Sequence, residues 1–442
     1  MSKITRRQFA GAVAAGAAAS GVAMQIKTAK AETGPNDRIR LGVIGYGSRG
    51  RGNLAEFLRN PEVECVAVCD VVEENRLNGV EHVESQAGNR PDAYNDFRRV
   101  VERDDIDALL VSTPDHWHAL PTVYGCQTGK DTYLEKPLAR TIDEGRAILE
   151  AAKDNGRVIQ MGTQWHSASH FQEAAEFFKT GAIGELRSVR TWCYKTWGGV
   201  EPRENEPVPE GVDYDLWLGP APERPFNRNH FNRQFRWYWD YAGGLMTDLG
   251  VHVLNMTNFI MGLDHPTRIS SMGGLPLYGD MVETPDTQIA IYEFPGYTLS
   301  WEHQLQSRLG PYHNGAMGGA EGAWFAGTNG SLIVTTGGWE VVPDPGGDGS
   351  VEAEQHERKE DGRPAHVRDF LDCMKTREQP RTNAEVGHHV TTIAHLGNLA
   401  YRSGAELHWD AEAERITNNP EADALVGEPY RAPWELPYAR RG

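Results

Sequence analysis

Residues 40–50 read Arg40-Leu41-Gly42-Val43-Ile44-Gly45-Tyr46-Gly47-Ser48-Arg49-Gly50, an apolar run that ends in G-x-G-x-x-G. The run alternates little, as a strand buried on both faces of a parallel sheet does. The glycines follow that strand directly and open a helix, and Asp70 stands twenty positions after Gly50 at the end of the next apolar run. This context gives a common tripartite glycine pattern its meaning. Gly45 permits the tight turn, Gly47 lets the backbone approach a pyrophosphate, and Gly50 lets helix pack on strand. Tyr46, Ser48 and Arg49 complete the loop, whose helix N-terminal amides bind the anion. Asp70 is expected to accept from both ribose hydroxyls, where a 2′-phosphate would meet repulsion. NAD is therefore expected over NADP. Val71 and Val72 supply no basic partner for that phosphate, although Arg49 or Arg76 could swing in.

Outward from this unit, helix and strand alternate. Strands are expected at 40–45, 64–69, 106–112, 131–135 and 158–162, with helices at 53–59, 72–85, 97–102, 116–128 and 142–155. Such alternation means a doubly wound parallel sheet. After Gly162 the texture changes: a helix at 171–179 precedes period-two strands at 186–194, 287–294 and 297–302, with helices at 245–261 and 384–401. The expected class is α/β, with an N-terminal Rossmann domain (38–162) and a C-terminal α+β domain (163–402) holding an open, mostly antiparallel sheet. A C-terminal extension (403–442) follows. Stretches 198–213 and 343–362 are rich in Pro, Gly and acids and read as loops. No internal repeat is evident.

The 442-residue chain carries a formal charge of -18, which disfavours nucleic acid as a partner. Mean hydropathy is -0.55, and nothing past residue 31 offers a spanning run, so no stable membrane anchor is expected. The five cysteines (Cys65, Cys69, Cys126, Cys193, Cys373) are scattered and odd in number, which suits buried thiols. No cluster has metal-site spacing, so no metal is expected. Residues 1–31 join Arg6-Arg7 to a weakly hydrophobic Ala/Gly/Val run and Ala29-Lys30-Ala31, the pattern of a twin-arginine signal peptide cleaved near Ala31. The expected location is periplasmic or exported, with the twin-arginine machinery as a partner. That route carries folded proteins, and a periplasm offers no free nicotinamide pool. The cofactor is then expected to be tightly held and restored to its starting redox state within each cycle.

Tyr133-Leu134-Glu135-Lys136-Pro137-Leu138, with Thr113-Pro114-Asp115-His116-Trp117-His118 and Asp248-Leu249-Gly250-Val251-His252, resembles the Gfo/Idh/MocA family of glucose/fructose oxidoreductases and inositol dehydrogenases over about residues 38–402. The resemblance implies the two-domain architecture already read, assembly as a homodimer or homotetramer through the second-domain sheet, and a segment 113–118 near the nicotinamide. Thr113, Pro114, His118, Glu135 and Lys136 join the glycine loop as expected cofactor contacts. Lys136, where a strand's carboxyl end meets the crevice, can bridge a substrate hydroxyl and steady alkoxide charge. Glu135 is expected to restrain that ammonium, and Pro137 is a plausible cis site. Asp248 and His252, four apart on one helix face, read as substrate anchor or histidine partner and as general base, or as an ordinary structural pair. Asn255 stands where the family often has a second acid. Trp117, His118, Gln164, His166, Tyr194 and Lys195 are candidate substrate contacts, with packing as the competing reading. His388, His389 and His395 are read as packing or surface residues.

These residues point to an NAD-dependent oxidoreductase acting on a hydroxyl of a carbohydrate or polyol, with an internally recycled cofactor. A second reading is a glycoside hydrolase that uses NAD transiently, through oxidation, elimination, hydration and re-reduction. A non-catalytic sugar- and NAD-binding protein is the third.

Overall fold

The computed structural model describes residues 38–197, 200–307 and 319–439; the expected leader, residues 1–31, lies outside them. Among the described residues two sheets form. The first is parallel throughout: β1 (Ile39–Ile44), β2 (Val63–Cys69), β3 (Asp92–Tyr94), β4 (Ala108–Val111), β5 (Asp131–Leu134) and β6 (Ile159–Met161) lie in the order β3-β2-β1-β4-β5-β6. That is the strand order of the doubly wound dinucleotide-binding fold, and its crevice opens where β1 and β4 diverge at their carboxyl ends. Both faces are covered, so these strands, the exposed edge strand β3 excepted, are buried almost without interruption. The short β3 gave no readable period and was not expected.

The second sheet runs through β7 (Ser188–Lys195), β8 (Arg268–Gly274), β9 (Thr287–Phe294), β10 (Tyr297–Leu305), β11 (Glu321–Ala326), β12 (Gly330–Thr335), β13 (Gly338–Pro343), β14 (Glu354–Glu357), β15 (Leu407–Asp410) and β16 (Arg415–Ile416). Its order is β14-β13-β12-β11-β7-β10-β9-β8-β15-β16, antiparallel except for the β7–β10 pair. Alternation holds in β9, where Gln288, Ala290 and Tyr292 are buried while Ile289 and Ile291 are exposed.

Besides β3, strands β8 and β11–β13 were not expected, and residues 343–439 hold further elements that the sequence reading did not give. Helix Arg363–Thr376 was not expected; it packs Val367, Phe370 and Leu371 into the first domain's core beside Phe57 and Tyr133. The 343–362 stretch contains β14. In the expected C-terminal extension, described to residue 439, β15 joins the second sheet, while Tyr430 donates to Glu144 (2.9 Å) and Trp434 meets Trp117 edge-on (4.9 Å). The helix and the C-terminal segment depend on partners far away in sequence, of which local pattern carries no record, whereas β14 pairs with its neighbour β13.

Candidate functional site

A cleft of about 950 Å³ runs from the glycine loop to the junction of the two sheets' domains. At its first end, Gly45 has φ +88°, and a side chain there would meet the Ser112 backbone at 2.8 Å. A Cβ on Gly50 would sit 2.1 Å from the Gly45 oxygen, so the helix can lie against the strand turn only without one. A Cβ on Gly47 would point into open space. Gly47 is the N-cap of helix Ser48–Phe57 and no side chain caps it, which leaves amides free for a pyrophosphate. The Asp70 carboxylate accepts from the amides of Tyr46 (2.8 Å) and Val72 (2.9 Å) and lines the cleft. Burial raises its pKa, and those amides oppose the rise. The cradle fits NAD: open backbone amides for phosphate and one oriented carboxylate for ribose hydroxyls.

Ser48, Arg49, Thr113, Pro114, Glu135 and Lys136 line the same cleft. Glu135 does not restrain Lys136, however. Its Oε1 accepts from Asn53 (2.8 Å) and lies 3.7 Å from Arg49 Nε, because the chain turns after β5 and sends the two neighbouring side chains apart. The Lys136–Pro137 bond is cis. Tyr46 contributes its amide to Asp70, but its ring is buried against His82 (2.7 Å from the hydroxyl to Nδ1) and does not line the cleft. His118 is also withdrawn. Its ring lies between the carbonyls of Pro137 (2.7 Å) and Thr113 (3.1 Å), and burial pushes its pKa down to about 4. A neutral ring donates to one of the two, so His118 braces two cleft loops from behind.

At the far end, Lys136 pairs with Asp248 Oδ1, and Arg236 Nε lies 3.0 Å from Asp248 Oδ2. Burial opposes the charge on Asp248, yet Arg236 and Lys136 overcome it and hold the carboxyl well below the usual carboxylate range. Asp248 is thus committed to two cations and does not orient His252. The expected α-helical spacing is broken here: Met246–Gly250 is a π-turn, and the regular helix begins at Val251. His252 lines the cleft and stacks on Trp165 (4.7 Å, 18°), while its Nδ1 has no hydrogen-bond partner among the described residues. Burial, then Lys136 and Arg49, keep this imidazole neutral.

Of the other sequence candidates only Trp117 is among the described residues that line the cleft. Trp117 lines it, with its indole N–H directed to the carbonyls of Leu216 and Trp217 (2.9 Å each). His166 is buried behind it, its Nδ1 3.0 Å from Asn255 Nδ2, and Asn255 also donates to Thr163 (3.0 Å). The position of the missing acid therefore faces the core. Gln164 does not line the cleft; it is half-buried and its carbonyl packs against Gly362. Tyr194 donates to Glu302 (3.1 Å) and Lys195 pairs with Glu321, both outside the lining. Lys195 touches the lining at Trp197, a cleft residue over which its ammonium sits at 5.7 Å.

Sequence reading missed Arg236, which belongs to no motif and also lies over Trp197 (5.5 Å). It also left Asp115 unassigned. That carboxyl lines the cleft, and burial pushes it up to about 7 against the pull of Lys136. Among the described residues no group of His, Cys, Asp and Glu is arranged to hold a metal, and the five cysteines are buried and free.

Fold and cleft together define a two-domain NAD-binding oxidoreductase. Residues 39–163 match the oxidoreductase family's NAD-binding Rossmann fold, and residues 184–273 and 353–436 match its C-terminal alpha/beta domain. The chain belongs to the Gfo/Idh/MocA oxidoreductase family. It is 30% identical over 206 residues to an alpha-N-acetylgalactosaminidase of Shewanella oneidensis, and 29% identical over 206 residues to a glycosyl hydrolase family 109 protein of another Shewanella strain. Each match covers 42% of this chain and 45% of the relative, so it spans less than half the length of these curated relatives. In fold it is similar to the Bordetella pertussis WlbA dehydrogenase solved with NADH and UDP-GlcNAcA (18% identity, TM-score 0.61). It is also similar to a levoglucosan dehydrogenase solved with NADH (16% identity, TM-score 0.65). Both alignments cover 84% of this chain and 99% of the other.

Proposed function

We propose that this protein oxidises a hydroxyl of a carbohydrate or polyol, holds its NAD tightly, and restores it within the catalytic cycle. The observation that carries the reading is the single cleft that joins Gly47 and Asp70 to Lys136, Asp248 and His252. NAD supplies the hydride acceptor when bound. Lys136, fixed by Asp248, donates a hydrogen bond to the substrate oxygen and steadies the charge that develops there. Arg236 keeps Asp248 ionised, so the lysine stays placed. Neutral His252 accepts the hydroxyl proton but holds it weakly, and Asp115, titrating near neutrality in the same cleft, can store it. We further propose export through the twin-arginine signal, a periplasmic location and a homo-oligomeric state.

The glycosidase names of the Shewanella relatives favour a second reading: transient oxidation acidifies the neighbouring C–H, the glycosidic oxygen leaves, water adds and the carbonyl is reduced again. Protein purified without added cofactor, challenged with free sugars and aryl glycosides, tests both. The first reading expects reduced-nicotinamide absorbance to appear with one sugar and bleach with a second. The other reading expects aryl release with no net reduction. Neither signal from any sugar or glycoside sinks both.

A further inference from the structure

The loop that sequence reading left as an acidic, Pro- and Gly-rich stretch meets the cofactor domain beside Asp70. Val72 and Val212 form an antiparallel bridge. The Glu73 amide donates to the Gly211 carbonyl (2.8 Å), and the Asp213 amide donates to the Val71 carbonyl (3.0 Å). Asp213 fastens the far side. Its Oδ2 accepts from Asn95 Nδ2 (2.7 Å) and its Oδ1 from the Leu216 amide (3.1 Å), the first turn of helix Tyr214–Leu218. Pro209, Glu210, Gly211 and Val212 thereby form one wall of the cleft where Asp70 and Asn95 form another.

We infer that residues 209–213 are a strap across the adenosine half of the cleft, and that Asp213 is the positioning residue that keeps it shut and sets how fast NAD leaves. The inference rests on NAD occupying this cleft. The strap is held by main-chain bonds to the two residues flanking Val72, which follow the ribose-binding Asp70 directly. A cofactor whose adenosine lies there leaves only after those bonds and the Asn95–Asp213 bond open. Such a strap supplies a physical means for an enzyme to keep its NAD where no free pool exists.

The bridge provides its own test. Val72 and Val212 face each other as a non-hydrogen-bonded pair, the position at which antiparallel side chains come closest and a disulfide can form. In the double variant V72C/V212C the five native cysteines are buried, so the engineered pair is the accessible one. Release of NADH from the full-length holoenzyme is followed by fluorescence after mixing with excess NAD. Oxidation should slow release at least tenfold and reductant should restore it. Asp213→Ala should speed release on the order of tenfold through the lost hydrogen bonds, with Asp213→Asn intermediate. Equal release from the oxidised and reduced double variant overturns the strap, and so does a pair that does not oxidise, because residues 72 and 212 then do not lie against each other. If the wild type loses NADH on simple gel filtration yet oxidation still slows release, tight retention fails while the strap stands.

Discussion

The two ends of the cleft are built from different materials. At the pyrophosphate end the groups that meet the cofactor are backbone: a glycine turn with φ +88°, an uncapped helix start and one carboxylate held by two amides. At the Lys136 end they are charged side chains packed against one another, with Asp248 between Lys136 and Arg236, and Asp115 and His252 beside them. Backbone makes a rigid site of fixed polarity, suited to a cofactor that does not change its place. Buried charges make a site whose protonation responds to what binds, because each is stable only through its neighbours. On the proposed function, retention and chemistry therefore fall to opposite ends of the cleft.

The largest expected effect tests that separation. Lys136→Ala removes the donor to the substrate oxygen and is expected to lower the rate of cofactor reduction by roughly 10²–10³-fold. NAD recovered from the purified variant should match wild type. An equal loss of bound NAD would mean the two ends are one unit. Gly50→Ala attacks the opposite end. With a Cβ 2.1 Å from the Gly45 oxygen the helix must shift, at a cost of about 1–3 kcal/mol. In thermal unfolding the variant should lose the stabilisation that added NAD gives the wild type. Persistence of that stabilisation would show that the loop tolerates displacement.

The third effect is electrostatic. Folded Asp115 titrates near 7, while the unfolded residue titrates in the ordinary carboxylate range. Between those values the folded state holds a proton that the unfolded state has released, so the contribution of Asp115 to stability falls as pH rises from roughly 4 to 7. Asp115→Asn removes that slope. Urea unfolding across the window should show the wild-type and variant curves converging or crossing; parallel curves would return Asp115 to an ordinary surface-like carboxylate.

The same division governed what could be read from the sequence. Gly45, Gly47, Gly50 and Asp70 act within one strand–helix–strand unit, so their spacing carries their geometry. Lys136 and Asp248 were legible as residues but not as a pair: helix periodicity, without the π-turn at Met246–Gly250, puts Asp248 and His252 on one face and leaves Asp248 as substrate anchor or histidine partner. Tyr46, His118 and His166 turn out of the cleft for a shared reason. An aromatic or imidazole ring near a cleft can turn into the core instead, and rotamer choice leaves no trace in spacing. Arg236 and the strap at 209–213 had no local signal at all, since each is defined by a partner elsewhere in the chain.

Sequence alone determined the class of fold, the nature of the cofactor and the end of the cleft that grips it, because short-range backbone geometry follows from where glycine, apolar residues and one acid stand. Tertiary structure decided which charges neutralise one another, which rings face the cleft and what covers the adenosine half. Those outcomes depend on burial and on distances between segments more than a hundred residues apart, and the energy of a buried charge is set by the partner that the fold brings to it.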